Sequence, residues 1–138
     1  MHKPIHLKQG GKLVDQTFGL IKNALNAAEL RQEMISSNIA NVNTDGYKVN
    51  KVEFESLLDS ASNGFALTKT DDQHFGIADM TDVQPIVSKR TNTSIKDNGN
   101  NVDIEVEMMD QSENSLYYNA LVAQLNTKYS MLNSVITK

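Results

Sequence analysis

Apolar residues in this chain gather toward its two ends, and there they keep helical spacing. In the first half they fall at Phe18, Ile21, Leu25 and Ala28, then at Ile35, Ile39 and Val42. The steps alternate three and four residues, with Gln32 in the one missing place, which is the pattern of a heptad seam. Leu20, Ala24, Ala27 and Met34 make a second stripe beside it, so this helix has more than one neighbour to satisfy. Asp15 is a candidate N-cap, and the spacing predicts a helix over about residues 15–41, roughly 40 Å long at 1.5 Å per residue. Gly19 lies inside it at a cost of about 1 kcal/mol relative to Ala. Residues 1–14, divided by Gly10-Gly11, read as a flexible tail.

The helix stops in turn chemistry. Asn41-Val42-Asn43-Thr44-Asp45-Gly46 is rich in side chains that bond their own backbone, and it ends on a glycine that accepts the left-handed region. Tyr47, Val49, Val52 and Phe54 then alternate toward an extended segment, so that residues 15–58 form one block. Residues 59–101 are polar, with scattered anchors at Phe65, Leu67, Phe75, Ile77, Ile86, Val87 and Ile95. They read as a loop or a small β insert, with a strand at Ile86-Val87-Ser88 and a tight turn at Asp97-Asn98-Gly99-Asn100. A second helix is expected over 102–138 with Asp103 as its cap. Its seam is Tyr118, Leu121, Leu125, Tyr129, Leu132 and Ile136, and a second stripe runs through Met109, Leu116, Ala120 and Ala123. The fold class is therefore mainly α: two long terminal helices forming an antiparallel, coiled-coil-like pair around a polar middle of loops and short strands.

Composition narrows the function. Thirteen basic against seventeen acidic residues leave a net charge of −4, which lacks the basic footprint of a nucleic-acid binder. There is no cysteine, hence no disulfide frame, thiol nucleophile or thiolate metal site. The first twelve residues are basic but are followed by no apolar run, so no cleavable secretory signal is read there. No stretch approaches the roughly 20 apolar residues of a membrane span. Neither zinc-protease nor nucleophile-elbow nor phosphate-loop motifs occur, and no cofactor or metal is expected. Six acids between Asp97 and Glu113, with no Lys or Arg among them, do not follow a calcium-loop spacing. They read as a solvated face that suits a helix start.

One stretch is far richer than a helix stop requires: Ser37-Asn38-Ile39-Ala40-Asn41-Val42-Asn43-Thr44-Asp45-Gly46-Tyr47-Lys48. It resembles the motif that closes the first helix of the flagellar axial proteins, the rod, hook and hook-associated subunits. The matching positions are Ser37, Asn38, Ile39, Ala40, Asn41, Thr44, Gly46, Tyr47 and Lys48. The family most often has Pro at the place of Asp45, which Asp also suits. The later block, from Asp97-Asn98-Gly99-Asn100-Asn101-Val102-Asp103 to Met108-Met109, is similar to the proximal-rod type of axial subunit, with Asn98 interrupting an Asp-Gly pair. The resemblance covers residues 15–58 and 97–136.

It implies a structural subunit at the base of the periplasmic rod, exported through the flagellar type III apparatus. Its implied partners are copies of itself, other rod proteins, the adaptor between rod base and MS ring, and the export machinery. Phe18, Ile21, Leu25, Ile35, Ile39 and the six seam residues of the second helix would then form the assembly seam. Asn38 and Asn41 would bond backbone at a subunit boundary. Burial of the stripes on assembly would supply roughly 25 cal/mol per Å² of apolar surface. The competing reading of the same residues is a soluble helical adaptor or export chaperone bound to another coiled coil.

Overall fold

A computed structural model describes residues 7–64, 80–91, 93 and 95–137. The anchors Phe65, Leu67, Phe75 and Ile77 lie outside the described residues. The main elements are α1 (Leu7–Ala40), β1 (Asn50–Glu53), α2 (Glu55–Gly64), β2 (Ile86–Lys89) and α3 (Ile104–Ile136), with one 3-10 turn at Met80–Asp82.

Helix α1 begins at Leu7, not near residue 15. The tail expected over 1–14 is thus helical from Leu7, and Asp15 lies within the helix instead of capping it. Two glycines at positions 10 and 11 cost about 1 kcal/mol each in a helix, but the Leu, Lys and Gln residues around them are good helix formers, and the periodic segment behind them supplies the nucleus. Helix α3 starts where expected. Asp103 has extended backbone angles, and its carboxylate accepts from the amides of Glu105 at 3.0 Å and Val106 at 3.4 Å. At about 1.5 Å per residue each long helix spans roughly 50 Å.

The two helices run antiparallel. Asn38 meets Glu107 near one end, Asn114 meets Ala28 and Gln32 further along, and the Phe18 and Tyr129 rings lie 5.1 Å apart near the other end. Between them in sequence, β1 and β2 pair antiparallel in the register Asn50↔Lys89, Lys51↔Ser88, Val52↔Val87 and Glu53↔Ile86. The strand at 86–88 is as expected. Helix α2 is not: Leu57, Leu58 and Ala61 are its only apolar side chains, too few to show a period among the serines, and from Asp59 on it lies in the expected loop.

Phe54 is buried against Ala24 and Ala27, with Leu58, Val83 and Leu121 packed around them. Half of the second stripe of α1 is therefore covered by the chain's own middle segment. The 3-10 turn closes over the same face: Asn23 Nδ2 donates to Thr81 O at 2.6 Å and to Val83 O at 3.0 Å. A Cβ on Gly19 would stand 2.8 Å from the Thr81 methyl, so close approach of this turn explains the glycine inside the helix.

Candidate assembly interface

The two sequence blocks that carry the resemblance meet in space and bond to each other. Asn38, fully buried, donates from Nδ2 to Asn50 O at 2.9 Å and to Glu107 Oε2 at 3.0 Å, while its Oδ1 accepts from Asn50 N and the Tyr47 hydroxyl. With the tyrosine proton thus committed, Ser37 Oγ donates to Tyr47 Oη at 3.2 Å. Asn41 Nδ2 turns back to Ser37 O, and Thr44 Oγ1 donates to Asn41 Oδ1. The chain then reverses through Gly46, whose φ of +68° suits glycine. Ile39 is half-buried and Ala40 exposed at the end of α1.

The later block supplies the other half. Asn100, with no exposed surface, donates from Nδ2 to the carbonyls of Asn41, Val42 and Thr44 at 2.9, 3.2 and 2.7 Å. These carbonyls belong to the turn that follows α1. Its Oδ1 accepts from Val102 N at 2.8 Å. Asn101 accepts from Val49 N at 2.7 Å and donates to Arg90 O and Thr93 Oγ1. Lys48 reaches Thr93 O at 3.0 Å and Gly99 O, and Lys96 caps Val42 O. Asn38 and Asn41 are thus bonded within the subunit itself. Buried polar groups of this kind need every partner, and Ser37, Asn38, Asn41, Thr44, Tyr47 and Lys48 of the motif all take part in these bonds.

The acids of 97–113 are not all a solvated face. Glu107 is 4% exposed. Burial pushes its carboxyl above the ordinary range, opposed by the bond from Asn38 and raised further by Asp110. Glu107, Asn114 and Leu121 are seven residues apart and share the inner face of α3, so the heptad seam continues in phase into polar residues.

Of the seam residues, Ile21 and Ile35 are buried, and Phe18, Leu25, Tyr118, Leu121, Leu125 and Leu132 are half-buried. Phe18, Leu25, Leu125, Tyr129 and Leu132 line one open cleft of about 380 Å³ between the distal halves of the helices. Ile136, at 72% exposure, is outside the pair. The second stripe of α3 is open: Met109 is 65% and Leu116 73% exposed, and Ala120 and Ala123 are exposed with them.

A second groove of about 410 Å³ lies at the motif end between α1, β1 and the first turns of α3. Met34, Ile35 and Val52 contribute its apolar surface, and Glu107, Asp110, Glu113 and Asn114 its α3 side. Arg31 and Lys51 also line it, and Arg31 is held by both oxygens of Glu55 at 2.9 and 2.7 Å. Among the described residues, no group of three or more His, Asp or Glu side chains is placed to hold a metal ion, and no helix is long and apolar enough to cross a membrane.

Two long helices locked by an asparagine clasp, one of them leaving an apolar stripe open, describe a structural protein made to pack against others. A family model, flagella basal body rod protein, matches residues 22–48. The chain is 39% identical over 125 residues to the flagellar basal body rod protein FlgB of Bacillus subtilis, covering 91% of this chain and 96% of that one. It is 34% identical to the protein of the same name from Aeromonas hydrophila, covering 86% and 90%, and 32% identical to that from Borreliella burgdorferi, covering 81% and 89%. The chain belongs to the FlgB family of flagellar basal body rod proteins. It is a structural subunit of the proximal rod and not an enzyme.

Proposed function

We propose that the subunit enters the rod through the outer stripe of α3, while the seam between α1 and α3 and the asparagine clasp hold its own shape under torque. The observation that carries this is the run of exposed apolar side chains Met109, Leu116 and Met131 on one face of α3. Contiguous apolar surface of this kind marks a contact with another molecule. Ala120 and Ala123 between them are small enough to let a neighbouring helix come close. Copies of the chain and other rod proteins are the occupants. The adaptor between rod base and MS ring, and the flagellar type III export apparatus that delivers the subunit, complete the partner set. The division of labour assigns Ser37–Lys48 to internal closure, and Leu121, Leu125 and Leu132 to pairing within the subunit.

The test separates the two faces. A strain lacking the chain is complemented with wild type, Leu116→Asp or Leu125→Asp, and basal bodies are imaged. Leu116→Asp leaves the purified subunit as stable as wild type yet abolishes rods. Leu125→Asp lowers stability as well. Normal rods with Leu116→Asp would remove the outer stripe from assembly.

A further inference from the structure

Two steps in the chain join asparagine to glycine, Asn63-Gly64 and Asn98-Gly99. Such a step is chemically frail. The glycine nitrogen, with no side chain beside it and a wide choice of backbone angles, can attack the side-chain carbonyl of the asparagine before it. A bond forms from Gly N to Asn Cγ, the Cγ–Nδ2 bond breaks, and ammonia leaves with the proton of the glycine amide. Water then opens the resulting succinimide ring at either carbonyl. One product is aspartate. The other is isoaspartate, whose backbone is longer by a methylene. Water is the only co-reactant.

Asn98 lies on the surface, so water reaches it, and what guards it is bonding and not burial. Gly99 N, the attacking atom, donates to Lys96 O at 3.0 Å. Asn98 Nδ2, the leaving group, donates to Asp45 Oδ1 at 2.6 Å, and Asn98 Oδ1 accepts from Asn100 N at 3.2 Å. The main-chain carbonyl of Asn98 accepts from Gly46 N at 3.0 Å. Nucleophile, leaving group and carbonyl are each tied to a different neighbour. The same bonds show what conversion does. Aspartate at 98 replaces the donor to Asp45 by a second carboxylate. Isoaspartate lengthens the backbone just before Asn100, which has no exposed surface and must reach the carbonyls of Asn41, Val42 and Thr44.

We propose that Asn98 is a site of spontaneous deamidation that reacts in the unfolded chain, is held inert by the closed turn, and leaves a product unable to close the clasp. The fold thus preserves the residue that helps to make it, and a chain kept unfolded loses its ability to fold as time passes. Asn63-Gly64, at the end of α2 and outside the two blocks that form the clasp, is a built-in reference: it undergoes the same chemistry without the same consequence.

The full chain is incubated at mildly alkaline pH, half in buffer and half in urea, and both halves are mapped by peptide mass and isoaspartate content. In urea both asparagines convert. In buffer Asn98 converts roughly tenfold more slowly or less, because reaction then waits on local opening. Samples aged in urea are next diluted to refold, and the folded and misfolded fractions are separated by size and mapped. The folded fraction is depleted in converted Asn98 and not in converted Asn63. Asn98→Gln, whose amide stands one methylene further from the backbone and cyclises poorly, is compared with its own unaged sample and keeps its refolding yield. Equal conversion of Asn98 in buffer and in urea overturns the proposal. So does a folded fraction as rich in converted Asn98 as the whole sample. A refolding yield that falls with age as fast in Asn98→Gln as in wild type traces the loss to another residue and overturns it as well.

Discussion

Removing the Asn100 side chain tests the clasp at its most connected point. Asn100→Ala deletes the donor shared by the carbonyls of Asn41, Val42 and Thr44 and the acceptor for Val102 N. The three carbonyls keep other partners: Thr44 N, Lys96 Nζ and Tyr47 N respectively. Val102 N, in a residue 1% exposed, loses its bond to Asn100 Oδ1. Each intramolecular bond is worth about 1 kcal/mol net, and a buried amide left unpaired costs about 1–3 kcal/mol, so the loss is about 4 kcal/mol. Single domains hold only about 5–15 kcal/mol in total. At roughly 4 °C per kcal/mol for a domain of this size, Tm falls by about 15 °C. Thermal unfolding of the purified subunit, followed by circular dichroism, reads this directly. Asn100→Asp, nearly the same shape, does worse at neutral pH because a carboxylate then faces three carbonyl oxygens. Its excess deficit shrinks as pH falls toward the ordinary Asp range near ~3.9, where protonation restores a donor. A Tm for Asn100→Ala within about 3 °C of wild type would refute the view that these bonds hold the fold closed.

Three further outcomes follow from other features. Burial holds the folded pKa of Glu107 above its ordinary value, so its contribution to stability is full below that value and declines as pH rises through the raised one. Glu107→Gln keeps an acceptor for Asn38, and should be more stable than wild type at neutral pH and lose that advantage in acid; parallel urea titrations at two pH values check it, and an advantage independent of pH would contradict it. At Gly46 an added Cβ meets nothing within 4 Å, so Gly46→Ala costs only its left-handed backbone, about 1–2 kcal/mol; Gly46→Asn should cost less, and equal losses measured by denaturation would point to another cause. Amide exchange in the isolated subunit should be slow around Glu107–Asn114 and fast toward Tyr129–Ile136, because the clasp closes the first and an open cleft adjoins the second; uniform protection along α3 would be inconsistent with this.

Much of the architecture is legible in residue order. The heptad steps through Phe18–Val42 and Tyr118–Ile136 locate both long helices and their mutual seam, and Asp103 announces the start of α3, because periodicity and capping are local signals. What stays hidden depends on neighbours distant in sequence. Ala24 and Ala27 read as one more sticky stripe until Phe54 and Leu58 are seen to cover them. Asn38, Asn100, Asn101, Asn114 and Glu107 are polar, and composition assigns polar residues to the surface. Only their hydrogen bonds, most of them to backbone distant in sequence, justify burying them, and those bonds cross up to 86 positions. One clue lies in plain view: counting back by sevens from Leu121 lands on Asn114 and Glu107. The start of α1 is misjudged for a different reason, since two glycines weaken a helix without being able to end one that is anchored further along.

The pairing of Glu53 with Ile86 sets residues 54 and 85 beside a single rung of the β ladder. Just inside that rung Phe54, Leu58 and Val83 pack on Ala24 and Ala27 of α1, and Asn23 holds the carbonyls of Thr81 and Val83. Where the chain leaves the ladder and where it comes back are thus riveted to the same stretch of the first helix, and a push on one is felt at the other.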